Sequence, residues 1–357
     1  MSKIKVAILC GGRSSEHEIS CVSAGGVLGA IDRDLYEPIL IGITRTAGRW
    51  VLIPENYSLG IVDGTLPSVP EDGIEINTDL HGFSINGKAL HIDVIFPLLH
   101  GPYGEDGTIQ GFCEIANIPY VGSGVLASAV AMDKSFAKSI FDAHDLKVAQ
   151  GILITVEQWA NQRSASETRL GMLTFPVFVK PARGGSSRGT SKVHSRDEFD
   201  EALAEAYRFD RKALVEETVS GCEIECAVLE MDGVVRTSQP GEVVIDAKFE
   251  FYDFEAKYLD DATSAEIPAR IPEEALIEIR RQAALAFTSL GCSGLARVDF
   301  FYRENGQIII NELNTMPGFT PTSMFPVLWA HGGLTYAQLI QELIKTALTR
   351  VNSVLGN

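Results

Sequence analysis

The sequence predicts an α/β protein, with a doubly wound parallel sheet in its N-terminal part and an α+β arrangement in its C-terminal part. Three observations carry this. Short apolar runs alternate with helical patterns through residues 1–125, the rhythm of βαβ units. A chain of 357 residues has room for two or three packed units. Near the C-terminus, Asn305-Gly306 separates two strand-like runs, and Asn-Gly is the strongest short hairpin signal.

In chain order, Ile4–Cys10 and Ile39–Ile43 read as short buried strands, with an amphipathic stretch from Ser20 to Ile31 between them. Ile92–Leu98 is a third strand, and Gly107–Ala116 a helix leading to a short strand at Pro119–Val121. Turn residues crowd Pro54–Gly87, which predicts loops or short edge strands. A helix from Leu126 to His144 marks a boundary. A strand at Ile152–Thr155, a helix over Val156–Arg169 and a strand at Phe175–Lys180 follow. Ser195-x-x-Glu198 is a capping box ahead of a helix. Ala213–Glu217 and Glu223–Glu230 read as strands around a Ser220-Gly221 turn. An aromatic and acidic loop spans 246–264, a helix Pro272–Leu290, and a closing helix begins at a second capping box, Thr335-x-x-Gln338. The expected units are 1–125, 126–220 and 221–357.

Apolar content of 45% and charged content of 22% are those of an ordinary globular protein. A net charge of −17 without any run of lysine or arginine argues against a nucleic-acid partner. It does not argue against a small anion such as ATP, which a few lysines and metal ions can hold. The apolar start, Lys3 to Gly12, is too short for a secretion signal and reads as a first buried strand. No apolar stretch reaches the ~18 residues of a membrane span. Six cysteines lack CxxC spacing, so they suggest neither zinc nor a disulfide framework, and a reducing, cytoplasmic location is expected.

The hairpin carries the sharpest chemical expectation. With Asn305-Gly306 as a two-residue turn, Glu304 pairs with Gln307. Counting back places Asp299 opposite Glu312 and Arg297 opposite Asn314. One guanidinium, two carboxylates and one amide then share a face. Opposed carboxylates repel unless a cation lies between them, and hard oxygen ligands suit Mg²⁺ with substrate phosphates. The alternative is a solvated face whose charges pair internally, and a one-residue slip would undo the pairing.

Three loops add to this. Lys180 to Gly189 holds three glycines and two serines after a buried strand, either a phosphate-covering lid or an ordinary surface loop, and it is no Walker A loop. Gly11 to Glu18 follows the first strand, where ligands collect in open parallel sheets, but lacks the G-x-G-x-x-G fingerprint of a dinucleotide site. There Glu16 either binds a substrate ammonium or favours the helix dipole beside a Ser14 or Ser15 cap. His100 begins a glycine-rich segment after another strand and is either a site residue or a satisfied structural histidine.

Taken together the motifs resemble the D-alanine–D-alanine ligases of the ATP-grasp superfamily. The pieces are GGRSSEHEIS (11–20), HGPYGEDGTIQG (100–111), GSGVLASAVAMDK (122–134), FVKPARGGSSRGTSKV (178–193), VEETVSGCEIECAVL (215–229), YDFEAKYLDD (252–261), ARVDFF (296–301) and NELNTMPGFTPTSMFP (311–326). Eight in order, from Val6 to Ala347, cover nearly the whole chain.

The resemblance implies an ATP-grasp fold with ATP between the second and third units. Lys134 and Lys180 would contact phosphates, Glu216 and the backbone near Val219 the adenine, and Glu223 the ribose, with Ser187, Glu217 and Asn311 also at the nucleotide. Asp299, Glu312 and Asn314 would bind two Mg²⁺ (or Mn²⁺). Glu16 would hold the first D-alanine's ammonium with His100 nearby, and Arg297 with the Gly318 N–H its carboxylate oxygen and later the oxyanion. Ser323 and the Met324 N–H would hold the second carboxylate. Tyr258 and Ser186 would link with Glu16 to close the site, and Lys257 would approach the γ-phosphate. The implied reaction runs through an acyl phosphate to D-alanyl-D-alanine for peptidoglycan precursors, in a homodimer. Related alternatives are D-alanine–D-lactate or D-alanine–D-serine ligation, and a non-catalytic sensor on the same scaffold, which would be expected to lack the metal ligands or Arg297.

Overall fold

The protein is described by a computed structural model over residues 2–245 and 263–350. Ile4–Gly11 forms the heart of a five-stranded sheet, because Val6 to Gly11 are buried on both faces. It runs parallel to Tyr36–Ile43 on one side and Val94–Pro97 on the other. Its alternating side chains feed two cores: Val6, Ile8 and Cys10 pack with Cys21, Ala24 and Val27 of the helix His17–Ala30, while Ala7 and Leu9 pack with Ile109, Cys113 and Tyr120. That is the doubly wound arrangement. The far edge departs from expectation, since Trp50–Leu52 and Ile74–Glu75 add to the sheet antiparallel. A parallel strand needs a long crossover, whereas the short return after Ile43 suits an antiparallel one. The Pro119–Val121 strand is reduced to one parallel bridge between Ile95 and Tyr120. Asn77–Asp79, Gly82–Ile85 and Lys88–Leu90 form a separate small antiparallel sheet.

The predicted helix Leu126–His144 is two helices, Val125–Met132 and Lys134–Ala143. Asp133 breaks it by leaving helical geometry and capping the second helix, its carboxylate accepting the Ser135 and Phe136 N–H groups at 3.1 and 3.4 Å. The break sets Lys134 at the head of a helix whose Ala137 and Phe141 pack into the core of the C-terminal sheet.

Next comes a four-stranded antiparallel sheet in the order Ser191–Val193, Val177–Pro181, Lys212–Glu217, Gly151–Thr155, backed by the helix Phe199–Tyr207. The predicted helix Val156–Arg169 is again split, into Val156–Asn161 and Arg163–Leu170. Ser195 and Glu198 do not form the reciprocal box. The turn Arg196–Glu198 is 3₁₀, so the Glu198 carboxylate reaches one residue further back, to the His194 N–H at 3.0 Å, and accepts the Ser195 hydroxyl at 2.9 Å. The Thr335–Gln338 box forms as expected.

The C-terminal sheet runs Thr263–Glu266, Gly241–Ile245, Cys222–Met231, Leu295–Tyr302, Ile308–Asn314, with Val234–Thr237 beside Cys222–Met231. The helix Glu273–Ser289 covers one face through Ile279, Ala283 and Phe287. The last described helix, Tyr336–Thr349, sends Leu339, Ile340 and Leu343 into the same cluster as Val6 and Ile8, so one core joins the two ends of the chain.

The hairpin pairs Asp299 with Glu312 and Arg297 with Asn314, as counted from the sequence, but by a different route. Only Gly306 of the turn pair takes positive φ (+81°), and Arg303 bonds Gln307, so the loop is Glu304-Asn305-Gly306, not a two-residue turn. That would slip the register by one. A bulge between Asp299 and Phe300, with Asn311 as the extra residue of the partner strand, restores it.

Candidate active site

Two cavities meet at this hairpin. One, of about 340 Å³, lies between the four-stranded and C-terminal sheets. The other, of about 220 Å³, lies between the N-terminal loops and the segment after Asn314. Gly185, Ser186, Glu225, Arg297 and Glu312 line both, so they form the shared wall.

Glu225, Asp299 and Glu312 stand in one row across three adjacent strands. Arg297 grips Asp299 with Nε to Oδ1 at 2.7 Å and Nη2 to Oδ2 at 2.8 Å, and its Nε lies 3.0 Å from Glu225. The Asn314 amide donates to Asp299 at 3.0 Å, and Lys134 Nζ lies 3.1 Å from Glu312. The charges do pair internally, yet the face is no solvated surface: it walls both cavities. The bulge brings Asn311 to the larger cavity beside its neighbour Glu312, where strict alternation would turn it away.

The larger cavity gathers Lys134, Lys180, Ser187, Glu216, Glu217, Val219, Glu223 and Asn311. Lys134 also donates to the Gly184 carbonyl at 2.7 Å, tying the helix head to the glycine-serine loop. Burial opposes its charge, but Glu312 outweighs that and holds Lys134 above the ordinary lysine range. Glu216, 3% exposed, is bracketed by Lys138 at 2.5 Å and by Lys180. Burial works to raise its carboxyl, and the two ammonium groups win, holding it below the usual range. Burial pulls Lys138 down to about 8 despite Glu216.

In the smaller cavity, Glu16 occupies the first position before the helix His17–Ala30 and accepts a hydrogen bond from the Ser186 hydroxyl. Ser14 does not cap that helix. Its hydroxyl donates to the His100 carbonyl at 2.8 Å and accepts the Glu16 N–H at 3.2 Å. Gly101 and Gly185 flank the Glu16 carboxylate so closely that a Cβ on either would come within 2.5 or 2.6 Å of it. Ser186 and Ser187 both hold left-handed backbone, at φ +51° and +56°, which is uncommon outside glycine. Burial lowers the His100 pKa, so the ring is neutral. Its Nδ1 donates to the Met316 carbonyl at 3.1 Å, which leaves Nε2 to accept the Ser23 hydroxyl at 3.0 Å.

Gly318, Ser323 and Met324 line the same cavity. Ser323 precedes the helix Met324–His331, whose first N–H groups and dipole favour an anion. Its hydroxyl bonds the Thr320 hydroxyl at 2.7 Å and accepts the Thr320 N–H at 3.0 Å. Lys257 and Tyr258, with most of the 246–264 loop, lie outside the described residues.

Sequence reasoning missed three residues. Glu225 follows Glu223 by two on one strand, and that alternation was the available signal. Lys138 follows Lys134 by four, hence on the same helix face. Glu105 lines the smaller cavity and accepts N–H bonds from Gly101 at 2.8 Å and Met316 at 3.4 Å. Enclosure by protein, then the charge of Glu16, push it up to about 8.

Residues 5–123 match the family described as D-ala D-ala ligase N-terminus, and residues 140–345 the one described as D-ala D-ala ligase C-terminus. The chain belongs to the D-alanine–D-alanine ligase family. A relative from Arthrobacter sp. (strain FB24) named D-alanine--D-alanine ligase is 50% identical over 98% of this chain and 95% of its own length. One of the same name from Streptomyces avermitilis is 46% identical over 98% of this chain and 95% of its own. Among solved structures, the VanG D-Ala:D-Ser ligase from Enterococcus faecalis superposes with a TM-score of 0.83 at 34% identity, over 97% of this chain and all of that one. The D-alanine-D-alanine ligase from Coxiella burnetii gives 0.80 at 33%, over 97% of this chain and 95% of its own. The fold is thus that of the ATP-grasp ligases, and the family is ATP-dependent.

The residues on the hairpin fit a hard divalent cation. Asp299 lines the larger cavity, the Asn314 amide the smaller and Glu312 both, and each side chain is partly exposed. Among the described residues no group of three His, Cys, Asp or Glu side chains forms a protein-only cage. Mg²⁺ needs none, because it binds through one or two carboxylates together with waters and phosphates.

Proposed function

We propose that this protein joins two D-alanines into D-alanyl-D-alanine at the expense of ATP, through an acyl phosphate, for peptidoglycan precursors. The observation that carries the reading is the shared wall: Arg297 and Glu312 line a lysine-bearing cavity and a carboxylate-recognising one at once. A phosphoryl group can only pass between two substrates that meet, and here they would meet at the hairpin.

In this reading ATP occupies the larger cavity, with Lys134, Lys180 and Ser187 at its phosphates, Glu216, Glu217 and Val219 at adenine, Glu223 at ribose and Asn311 near the metal end. Two Mg²⁺ or Mn²⁺ ions held by Asp299, Glu312 and Asn314 would supply charge neutralisation at the transferring phosphoryl group. Glu16 takes the ammonium of the first D-alanine, with His100 in the wall. Its carboxylate oxygen bonds to the γ-phosphorus as the bond to the departing ADP oxygen breaks. Arg297 and the Gly318 N–H then face the oxygen that gains charge when the second amine bonds to the acyl carbon. Phosphate leaves with the C–O electrons, and the amine gives up a proton. Ser323 and the Met324 N–H hold the second carboxylate at a helix N-terminus. Ser186, Tyr258 and Lys257 belong to the two covers that keep water from the acyl phosphate.

The units 1–125, 126–220 and 221–357 then act as substrate holder, lid and metal-bearing base, with helices Val125–Met132 and Lys134–Ala143 rooted in the base. We also infer a cytoplasmic homodimer. Among the described residues no helix is long and apolar enough to cross a membrane.

The test is phosphate release from ATP and Mg²⁺ with D-alanine, D-serine and D-lactate, singly and in pairs, with products identified by mass. D-alanine alone is expected to suffice and to yield the dipeptide. Turnover only with a mixed pair would move the second subsite to D-serine or D-lactate, and no turnover would overturn the ligase reading.

A further inference from the structure

The loop 100–105 and the backbone of Met316 are joined at two points. His100 Nδ1 donates to the Met316 carbonyl at 3.1 Å, and the Met316 N–H donates to Glu105 Oε2 at 3.4 Å. Glu105 Oε1 accepts the Gly101 N–H at 2.8 Å, so one carboxylate spans two segments more than two hundred residues apart in sequence. Both polar backbone groups of Met316 are therefore held by the N-terminal unit. Two residues on, past Pro317, lies Gly318, packed so tightly that a Cβ there would stand 3.1 Å from Ser323 Oγ. Proline fixes its own φ and restricts the residue before it, so the Met316 peptide sets the direction of the chain into Gly318.

We propose that Glu105 is a positioning residue for acyl transfer: by holding the Met316 N–H against the Gly101 turn, it sets the Gly318 N–H at the height the developing oxyanion requires. This rests on the ligase reading and on Gly318 as an oxyanion donor. Glu105 itself touches no reacting atom. Its role is distinct from that of His100, which holds the next peptide along the chain through the Met316 carbonyl. A shift of a few tenths of an ångström in a donor is enough to weaken an oxyanion contact, since its strength depends on preorganised geometry.

The consequence separates the two chemical steps. Formation of the acyl phosphate needs the γ-phosphoryl and the first carboxylate, whereas attack by the second amine needs the oxyanion donors. With Gly318 displaced, the acyl phosphate persists long enough for water to attack its phosphorus. The P–O bond breaks, and D-alanine and inorganic phosphate are returned without dipeptide. Glu105→Ala and Glu105→Gln should therefore release more than one phosphate per dipeptide formed, with the larger excess in Glu105→Ala, because glutamine keeps one acceptor oxygen.

The assay measures phosphate and dipeptide in parallel in the full-length wild type and both variants, with saturating ATP, Mg²⁺ and D-alanine. Expected is a ratio near one in the wild type, at least about threefold higher in Glu105→Ala and intermediate in Glu105→Gln. Partial unfolding lowers both products together and leaves the ratio at one, so a ratio of one in both variants overturns the proposal whatever their rate. Should the wild type itself make no dipeptide, it is the ligase reading that falls.

Discussion

Arg297→Lys separates two ways in which this residue can act. As a point charge, a lysine ammonium is nearly equivalent. Moving one unit charge from about 4 to about 5 Å in an effective dielectric of about 20 changes its interaction by roughly 0.8 kcal/mol, or about fourfold in rate. As a fork, the guanidinium is irreplaceable. It now makes three contacts of 2.7–3.0 Å to Asp299 and Glu225 and lines both cavities. A single ammonium cannot hold Asp299 in two places and also face a substrate oxygen. Loss of one oxyanion donor costs about 10²–10³ in kcat. The expected result is a fall of at least about 100-fold in kcat for dipeptide formation, with KM for ATP changed far less. The assay is steady-state ADP and dipeptide production, with the melting temperature recorded to set aside misfolding. A folded variant within about fourfold of the wild type would refute the fork argument and leave only charge.

Glu312→Gln, which removes a negative charge facing both cavities and the partner of Lys134, is expected to reduce ADP formation by more than about 100-fold; near-normal turnover would sink the assignment of Glu312 to the metal site. Asp210 holds Arg183, at the base of the glycine-serine loop, through its N–H at 2.9 Å and guanidinium at 2.6 and 3.0 Å. Asp210→Ala should loosen the loop and raise proteolytic nicking between residues 183 and 189, and an unchanged cleavage pattern would count against that anchor. Ser186→Ala removes the hydroxyl donor to Glu16, a charge-assisted bond of about 1.5–3 kcal/mol, so KM for D-alanine should rise at least about tenfold. Glu105 is raised from 4.5 to about 8, so between those values the folded chain keeps a proton that the unfolded chain has lost. Its contribution to stability is full below about pH 4.5, is lost as pH rises to about 8, and is absent above. Melting temperature against pH should therefore fall less steeply through this window in Glu105→Gln, and parallel profiles would refute it.

Much of the site was legible because strand alternation and glycine-rich loops after strands leave strong local signals. Glu16, Lys180 and Arg297, read from those signals, line the cavities, and so do Lys134 and Ser323, which only the family resemblance named. The hairpin shows how a correct pairing can rest on an incorrect turn. The three-residue loop and the bulge at Asn311 shift the register in opposite senses, and no sequence pattern distinguishes their sum from a plain two-residue turn. Asp133 was hidden for another reason. Residues 126–144 are periodic enough to read as one helix, and what stops it is an aspartate whose carboxylate serves the backbone and also pairs with Lys212, a partner from a strand far along the chain. Glu105 was invisible because its meaning comes from Met316, which the sequence places over two hundred residues away.

The charges at the shared wall explain why one site requires both arms of the chain. Glu225, Asp299 and Glu312 form a row of three carboxylates, with Arg297 against Asp299 and Glu225 and Lys134 against Glu312. A phosphate brought within about 4–5 Å of any of these carboxylates meets a repulsion of roughly 3–4 kcal/mol at an effective dielectric of about 20. In the proposed reading, cations arriving with the nucleotide would relieve that repulsion. The same row would repel the carboxylate of an amino-acid substrate, a repulsion that Arg297 within the wall and the backbone donors after Met316 would offset. The backbone of Met316, which leads to those donors, is held by His100 and Glu105 from the N-terminal unit, and in the proposed reading the nucleotide's cations would be held by the C-terminal hairpin. One hydrophobic cluster ties the first strand to the last described helix, so the segments that bear on this wall from the two ends of the chain share a core.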